Sequence, residues 1–238
     1  MAQPLMQQRR GRGTHTFKAK LKGVKTSYHS YVLTKKDTIK GQVIDLFKDT
    51  GRAAILAKVK FENYDEQIYV AAEGLTTGQW IQSGNKASVS VGNILSLNDL
   101  PEGCPIFNIE ARPGDGGKMV KTSGGYALLL TKDEKYAQVK LPSNKIKKFL
   151  LNCRATVGNV SCGERTEKPF VKAGNKFHSM VAKHKKYPIN RGVAMNANAH
   201  PFGGSQHHAG KGKSSARSAV PGRKVGAIAS KRTGRKKK

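Results

Sequence analysis

The 238-residue chain carries 44 Lys and Arg against 15 Asp and Glu, a formal charge of +29, with three cysteines and one tryptophan. That length allows one or two ordinary domains. An odd number of cysteines without a CxxC pair argues against a disulfide framework and a cysteine zinc site, and no apolar run approaches a membrane span.

The charge is segregated. Residues 1–36 hold nine basic residues and no acidic one, residues 168–238 hold eighteen and none, and 37–167 hold seventeen basic and fifteen acidic residues. Polycationic ends repel themselves and bury little apolar surface, so composition predicts that they stay unstructured until a polyanion neutralises them. Nucleic acid is the leading candidate for that polyanion. A membrane surface is disfavoured because the ends lack the apolar face of an interfacial helix. The first thirty residues contain no signal-peptide core, so a reducing compartment is expected.

In chain order, the amino-terminal end opens with the cationic stretch QQRRGRGT (7–14). The body then alternates short apolar runs with turn signals: TIKGQVIDLF (38–47), AAILAKVKF (53–61), QIYVAAE (67–73), WIQSG (80–84) and SVSVGNILSL (88–97). Their Val, Ile and Tyr content and rough period-two alternation predict half-buried strands. Five strands in about sixty residues is the scale of a small barrel. Tyr69 and Trp80 are expected in its core.

After NDLPEG (98–103) the pattern restarts. YALLL (126–130) and YAQVKL (136–141) are separated by TKDEK, and KIKKFL (145–150) follows PSN, which predicts successive hairpins. A second small all-β unit is expected, ending with CRATVGNV (153–160). PGDGG (113–117) resembles a phosphate cradle, but Asp115 opposes an anion, and a turn is the preferred reading. The organisation expected is a basic extension over 1–36, barrels over 37–98 and 99–167, and a basic extension over 168–238. No long amphipathic helix is expected, NKIKKFLLN (144–152) being the one ambiguity.

The carboxyl extension is more than filler. Gly and Pro punctuate it irregularly, and Phe170, Phe177, Tyr187, Met195 and Phe202 are interleaved with the cations. Bare glycine backbone approaches a phosphate or base closely, and aromatics stack or wedge.

RGVAMNANAHPFGG (191–204) and PGRKVGAIASKRTGR (221–235) closely resemble the carboxyl region of the universal large-subunit ribosomal protein L2 family. QQRRGRGT (7–14), PEG (101–103), PGDGGK (113–118), CRATVG (153–158) and KPFVKAGNK (168–176) extend the likeness over nearly the whole chain, most like the archaeal form with the eukaryotic form a near relative. The resemblance implies an all-β body, an OB-like five-stranded barrel followed by an SH3-like barrel, with long basic irregular extensions threaded into large-subunit ribosomal RNA. It further implies a cytoplasmic, ribosome-bound structural role in translation near the peptidyl-transferase centre. Other ribosomal proteins would be neighbours, transfer RNA and the small subunit indirect partners, and neither cofactor nor enzymatic activity is expected.

Within the matching motifs Arg9, Arg10, Arg12, Arg191, Arg223, Arg232 and Arg235 are the strongest RNA-binding candidates, because a planar guanidinium forks to phosphate and stacks on bases. Lys172, Lys176, Arg217, Lys224 and Lys231 add charge, and Asn196, His200, His207 and His208 add polar contacts. The three histidines lie within nine positions, which raises metal binding and catalysis. Neighbouring His207 and His208 diverge in most backbone conformations, and from 168 onward the chain has no carboxylate to ligate a metal or orient an imidazole. Many family members place an aspartate before the histidine matching His200 and a second histidine two positions after it, where this chain has Ala199 and Phe202. A structural role for His200 on RNA is therefore favoured over chemistry. A general nucleic-acid chaperone without a fixed site is the remaining alternative.

Overall fold

The computed structural model describes residues 6–18, 23–28, 38–204 and 214–231. It divides the chain into two units, one of Met1–Lys20 with Phe170–Lys238 and one of Leu21–Pro169.

Among its described residues the Leu21–Pro169 unit has ten strands: β1 (Ile39–Lys48), β2 (Ile55–Phe61), β3 (Glu66–Val70), β4 (Trp80–Ser83), β5 (Ile94–Ser96), β6 (Pro105–Phe107), β7 (Ala127–Lys132), β8 (Tyr136–Lys140), β9 (Ile146–Leu150) and β10 (Arg154–Val157). The order across the sheet is β3-β2-β1-β4-β5-β10-β6-β7-β8-β9. The first five strands match the five apolar runs, and β7–β8–β9 are the expected hairpins. NKIKKFLLN holds β9, with Phe149 alone buried along the strand. The all-β expectation of an OB-like barrel followed by an SH3-like one fits this arrangement.

β10 is the element that local pattern does not place. It pairs antiparallel with β5 on one side and β6 on the other, so the last strand joins the two halves of the sheet. β5 is only three residues long, yet all three are buried. Because successive side chains point to opposite faces, Ile94 enters a core with Tyr28, Val43, Val59, Phe61, Tyr69 and Ile81, and Leu95 enters another with Leu97, Ile106, Leu129, Val139, Phe149 and Ala155. A third cluster, including Leu56, Val70, Phe107 and Val160, draws on both halves.

Tyr69 is core, edge-on to Phe61 at 6.0 Å between centroids. Trp80 is not: it is 58 % exposed. The alternation along β4 buries Ile81 and Ser83 and turns Trp80 outward, so strand phase overrides the general tendency of Trp to be buried.

A buried polar network ties the unit together. Arg154 of β10 is 4 % exposed at its side chain and Glu110 is wholly buried; Arg154 Nη2 lies 2.7 Å from Glu110 Oε1. The other carboxylate oxygen accepts the Arg154 backbone N–H at 2.9 Å, and Oε1 also accepts the Gly116 N–H at 3.2 Å. The guanidinium sits 5.3 Å from the ring centre of Tyr28. Tyr28 shares a 2.7 Å hydrogen bond with Thr156 Oγ1 and donates its backbone N–H to Gly116 O. Burial holds this phenol protonated far above the ordinary tyrosine range. Residues 23–28, cationic by neighbourhood, thus belong to the body by packing.

PGDGG is a turn, as its aspartate suggested. Asp115 accepts the backbone N–H groups of Ala111, Arg112 and Gly117, and Glu110 takes that of Gly116, so those amides are committed within the protein. Cys104, Cys153 and Cys162 are free thiols. Burial raises Cys153 to about 11, which makes it an unreactive packing residue at neutral pH.

Lys121 donates to Thr26 O and Oγ1 at 3.1 and 3.3 Å. Burial, and next the Arg52 charge, depress it to about 8. A lysine depressed on folding destabilises the native state while both states are charged, and that penalty is relieved as pH rises from about 8 towards the unfolded value. In urea unfolding, wild-type stability should rise relative to K121M between pH 8 and 10.5, and the difference should be flat below pH 7. The second expectation concerns the ion pair. E110Q should lose about 3–5 kcal/mol because it strands a buried guanidinium, whereas the E110L/R154M double substitution should lose markedly less. Equal losses would mean that the pair's charge is not what matters.

Candidate nucleic-acid interface

The other unit gathers both basic ends of the chain. Its residues include 22 Lys and Arg and no Asp or Glu. Its described parts are more ordered than composition predicts. A short helix α1 (Met6–Gly11) and a ten-residue helix α2 (Ala173–Ala182) punctuate them. α2 was not expected, because Gly174 and Asn175 weaken helix propensity. The signal that would have found it is Phe177, Met180 and Val181 at i, i+3, i+4 spacing.

Arg9 and Arg10 form the last turn of α1, where cations complement the helix dipole. Arg10 and Arg12 are exposed, and the Arg10 guanidinium lies 6.0 Å from the Phe17 ring centre. Lys172 caps α2 without a side-chain hydrogen bond, and Lys176 on the helix reaches over the Tyr187 ring at 5.2 Å. Arg191 and Asn196 are exposed and flank a 3-10 turn (Gly192–Ala194). Arg217, Arg223, Lys224 and Lys231 are exposed on a segment held by its serines: Ser215 Oγ donates to Val225 O, and Ser214 Oγ accepts the Ser230 N–H. His207, His208, Arg232 and Arg235 lie outside the described residues.

His200 is set by a tight loop. Its Nδ1 accepts the Phe202 backbone N–H at 3.0 Å, its own N–H reaches Asn196 O, and its carbonyl accepts from Gly203. The Phe202 ring meets the imidazole edge-on at 5.1 Å. A side-chain carbon at Gly192 would overlap that imidazole, and one at Gly203 would overlap the Met195 and Asn196 carbonyls, so the loop closes only on bare backbone. With Nδ1 taken up by the Phe202 amide, Nε2 is the ring nitrogen left to meet a partner, and the ring lies in the lining of a cavity. Among the described residues, no three of His, Cys, Asp or Glu gather as a metal-binding set.

Within the same unit, α1 and residues 186–200 line an open cavity of about 660 Å³, with Met6, Arg9, Arg10, Lys186, Pro188, Ile189, Asn190, Gly192, Met195, Ala199 and His200 on its walls. It brings together Arg9, Arg10 and His200, which are distant in sequence. Lys186 and Asn190 were not singled out from sequence; their signal was the Pro-punctuated stretch KKYPIN between two matching motifs.

The chain matches known proteins over nearly all of its length. Residues 3–83 match the family model described as ribosomal proteins L2, RNA binding N-terminal domain, and residues 90–223 match ribosomal proteins L2, C-terminal domain. A large ribosomal subunit protein uL2 from Methanothermobacter thermautotrophicus is 48 % identical over all of this chain and all of its own. The proteins of that name from Natronomonas pharaonis and Haloarcula marismortui are 49 % and 50 % identical, over 99 % of this chain and 97 % and 98 % of theirs. The chain belongs to the ribosomal protein L2 family.

Proposed function

We propose that the two basic extensions thread into large-subunit ribosomal RNA near the peptidyl-transferase centre and hold it folded, with indirect support for subunit association and transfer-RNA placement. The chain is a structural protein of the large ribosomal subunit, acting on cytoplasmic ribosomes, and not an enzyme. The observation that carries the RNA reading is the collection of 22 cations without one carboxylate into a single unit. Each phosphate neutralised by a Lys or Arg releases condensed counterions, and nothing inside the extensions competes for those charges.

Charge alone gives loose binding, since ordering a backbone residue costs on the order of 1–2 kcal/mol. Specificity on this reading comes from the arginines Arg9, Arg10, Arg12, Arg191, Arg223, Arg232 and Arg235, with Lys172, Lys176, Arg217, Lys224 and Lys231 as point charges. Asn196, His200, His207 and His208 supply hydrogen bonds. The barrels over 37–98 and 99–167 serve as the rigid body of the protein.

The test is a salt titration of binding to large-subunit RNA. The full chain should lose roughly 10³-fold or more in affinity between 50 and 200 mM salt, and a fragment over 21–169 should bind more weakly with a much shallower slope. Equal affinity and slope would overturn the proposal, and equal affinity for unrelated duplex would favour a general chaperone. A second expectation concerns His200. Subunits of normal composition assembled with H200A should show near-normal peptidyl transfer, because the His200 Nδ1 lone pair is occupied by the Phe202 amide. A fall by orders of magnitude would restore a chemical role.

A further inference from the structure

We propose that the cavity between α1 and residues 186–200 receives one nucleotide extruded from the RNA. The proposal rests on the RNA reading of the extensions but goes beyond it: it assigns one concave site, open on one side, rather than a charged path.

The volume of about 660 Å³ falls within the roughly 300–1,000 Å³ of pockets that engulf a small molecule. A lone phosphate needs far less room, and a duplex cannot enter. The lining is chemically divided. Arg9, Arg10 and Lys186 supply positive charge, with no carboxylate beside them. This disfavours a cation or an amine and suits a phosphate, which guanidinium groups grip with two parallel hydrogen bonds.

The remaining walls include Ile189 and Met195, flat or adaptable apolar surface against which an unstacked base can lie. Asn190 offers both a donor and an acceptor, the combination that pairs with the edge of a base. His200 contributes only a donor, because its Nδ1 already accepts the Phe202 N–H. Phosphate-binding charge, an apolar slot and a few oriented polar groups are what a protein presents to a base removed from its stack.

The same chemistry would hold a free nucleoside monophosphate, so the experiment separates the two sources. Full-length protein carrying ¹³C-methyl methionine is titrated with adenosine monophosphate and, separately, with large-subunit RNA, observing the Met6 and Met195 methyl signals. A199W fills the cavity from its lining without altering charge, and R9Q/R10Q removes charge without filling it, so one variant remains informative if the other misfolds.

RNA should shift both methyl signals, and A199W should weaken RNA binding roughly tenfold with an unchanged salt slope. R9Q/R10Q should weaken binding and make the slope shallower. Unshifted methyls together with wild-type affinity in A199W would overturn the cavity proposal. If the 21–169 fragment still lost affinity, the extensions would stand as the RNA-binding element without the cavity. Saturable methyl shifts with the free nucleotide but none with RNA would overturn the RNA source in favour of a soluble ligand.

Discussion

The ion pair between Glu110 and Arg154 is the constraint on which the body depends. A carboxylate and a guanidinium removed from water cost several kcal/mol each unless their geometry is good and their remaining lone pairs and protons are satisfied. Here they are satisfied by backbone: Glu110 accepts the amides of Arg154 and Gly116, and its own N–H reaches Arg154 O. Those bonds lock β10 against the segment after β6 while β10 pairs with β5 on its far edge. Through the Tyr28 ring over the guanidinium, the same pair fixes residues 23–28 to the body. One buried pair therefore sets the junction between barrels and the point where the first extension joins them.

The two units treat charge in opposite ways. In the body, several acidic groups are committed internally: Asp115 to turn amides, Glu110 to Arg154, Glu66 to Lys58 at 2.7 Å. The Lys58 hydrogen bond and charge hold the Glu66 carboxyl below its usual range, although an exposed pair of this kind adds little stability. The extensions have no carboxylates to commit. Their order rests on backbone turns, serine side chains closing onto carbonyls, and aromatic rings beneath cations. Such devices set direction without neutralising charge, so the cationic field stays available to a polyanion.

Strand existence was legible because β1–β5 and β7–β9 each carry their own alternation and turn chemistry. What the pattern did not carry was pairing between distant segments. Nothing local in RATV says that it will lie between β5 and β6, since that placement is decided by a buried Glu110 forty-four residues earlier. Trp80 was misplaced because a four-residue strand does not reveal its phase until Ile81 and Ser83 are seen to be inside. Residues 23–28 read as extension because their neighbours are cationic, yet Tyr28 is 5 % exposed. α2 was hidden by Gly174 and Asn175 at its start. The candidate residues could be listed from composition and motif, but the meeting of α1 with residues 186–200 depends on closure across the whole chain.

His200 shows how backbone geometry changes the meaning of a residue type. A histidine near neutrality invites the role of general base, which requires a free ring nitrogen and a partner for the resulting imidazolium. The loop from Gly192 to Gly204 removes the first by spending Nδ1 on the Phe202 amide, and the extension removes the second by containing no carboxylate. Ala199 belongs to this logic: its small, neutral side chain lines the cavity beside His200 without bringing an acid into it. The same loop that engages Nδ1 leaves Nε2 as the nitrogen facing the cavity. A ring nitrogen held beside clustered cations and apolar walls suits the recognition role proposed for it better than chemistry.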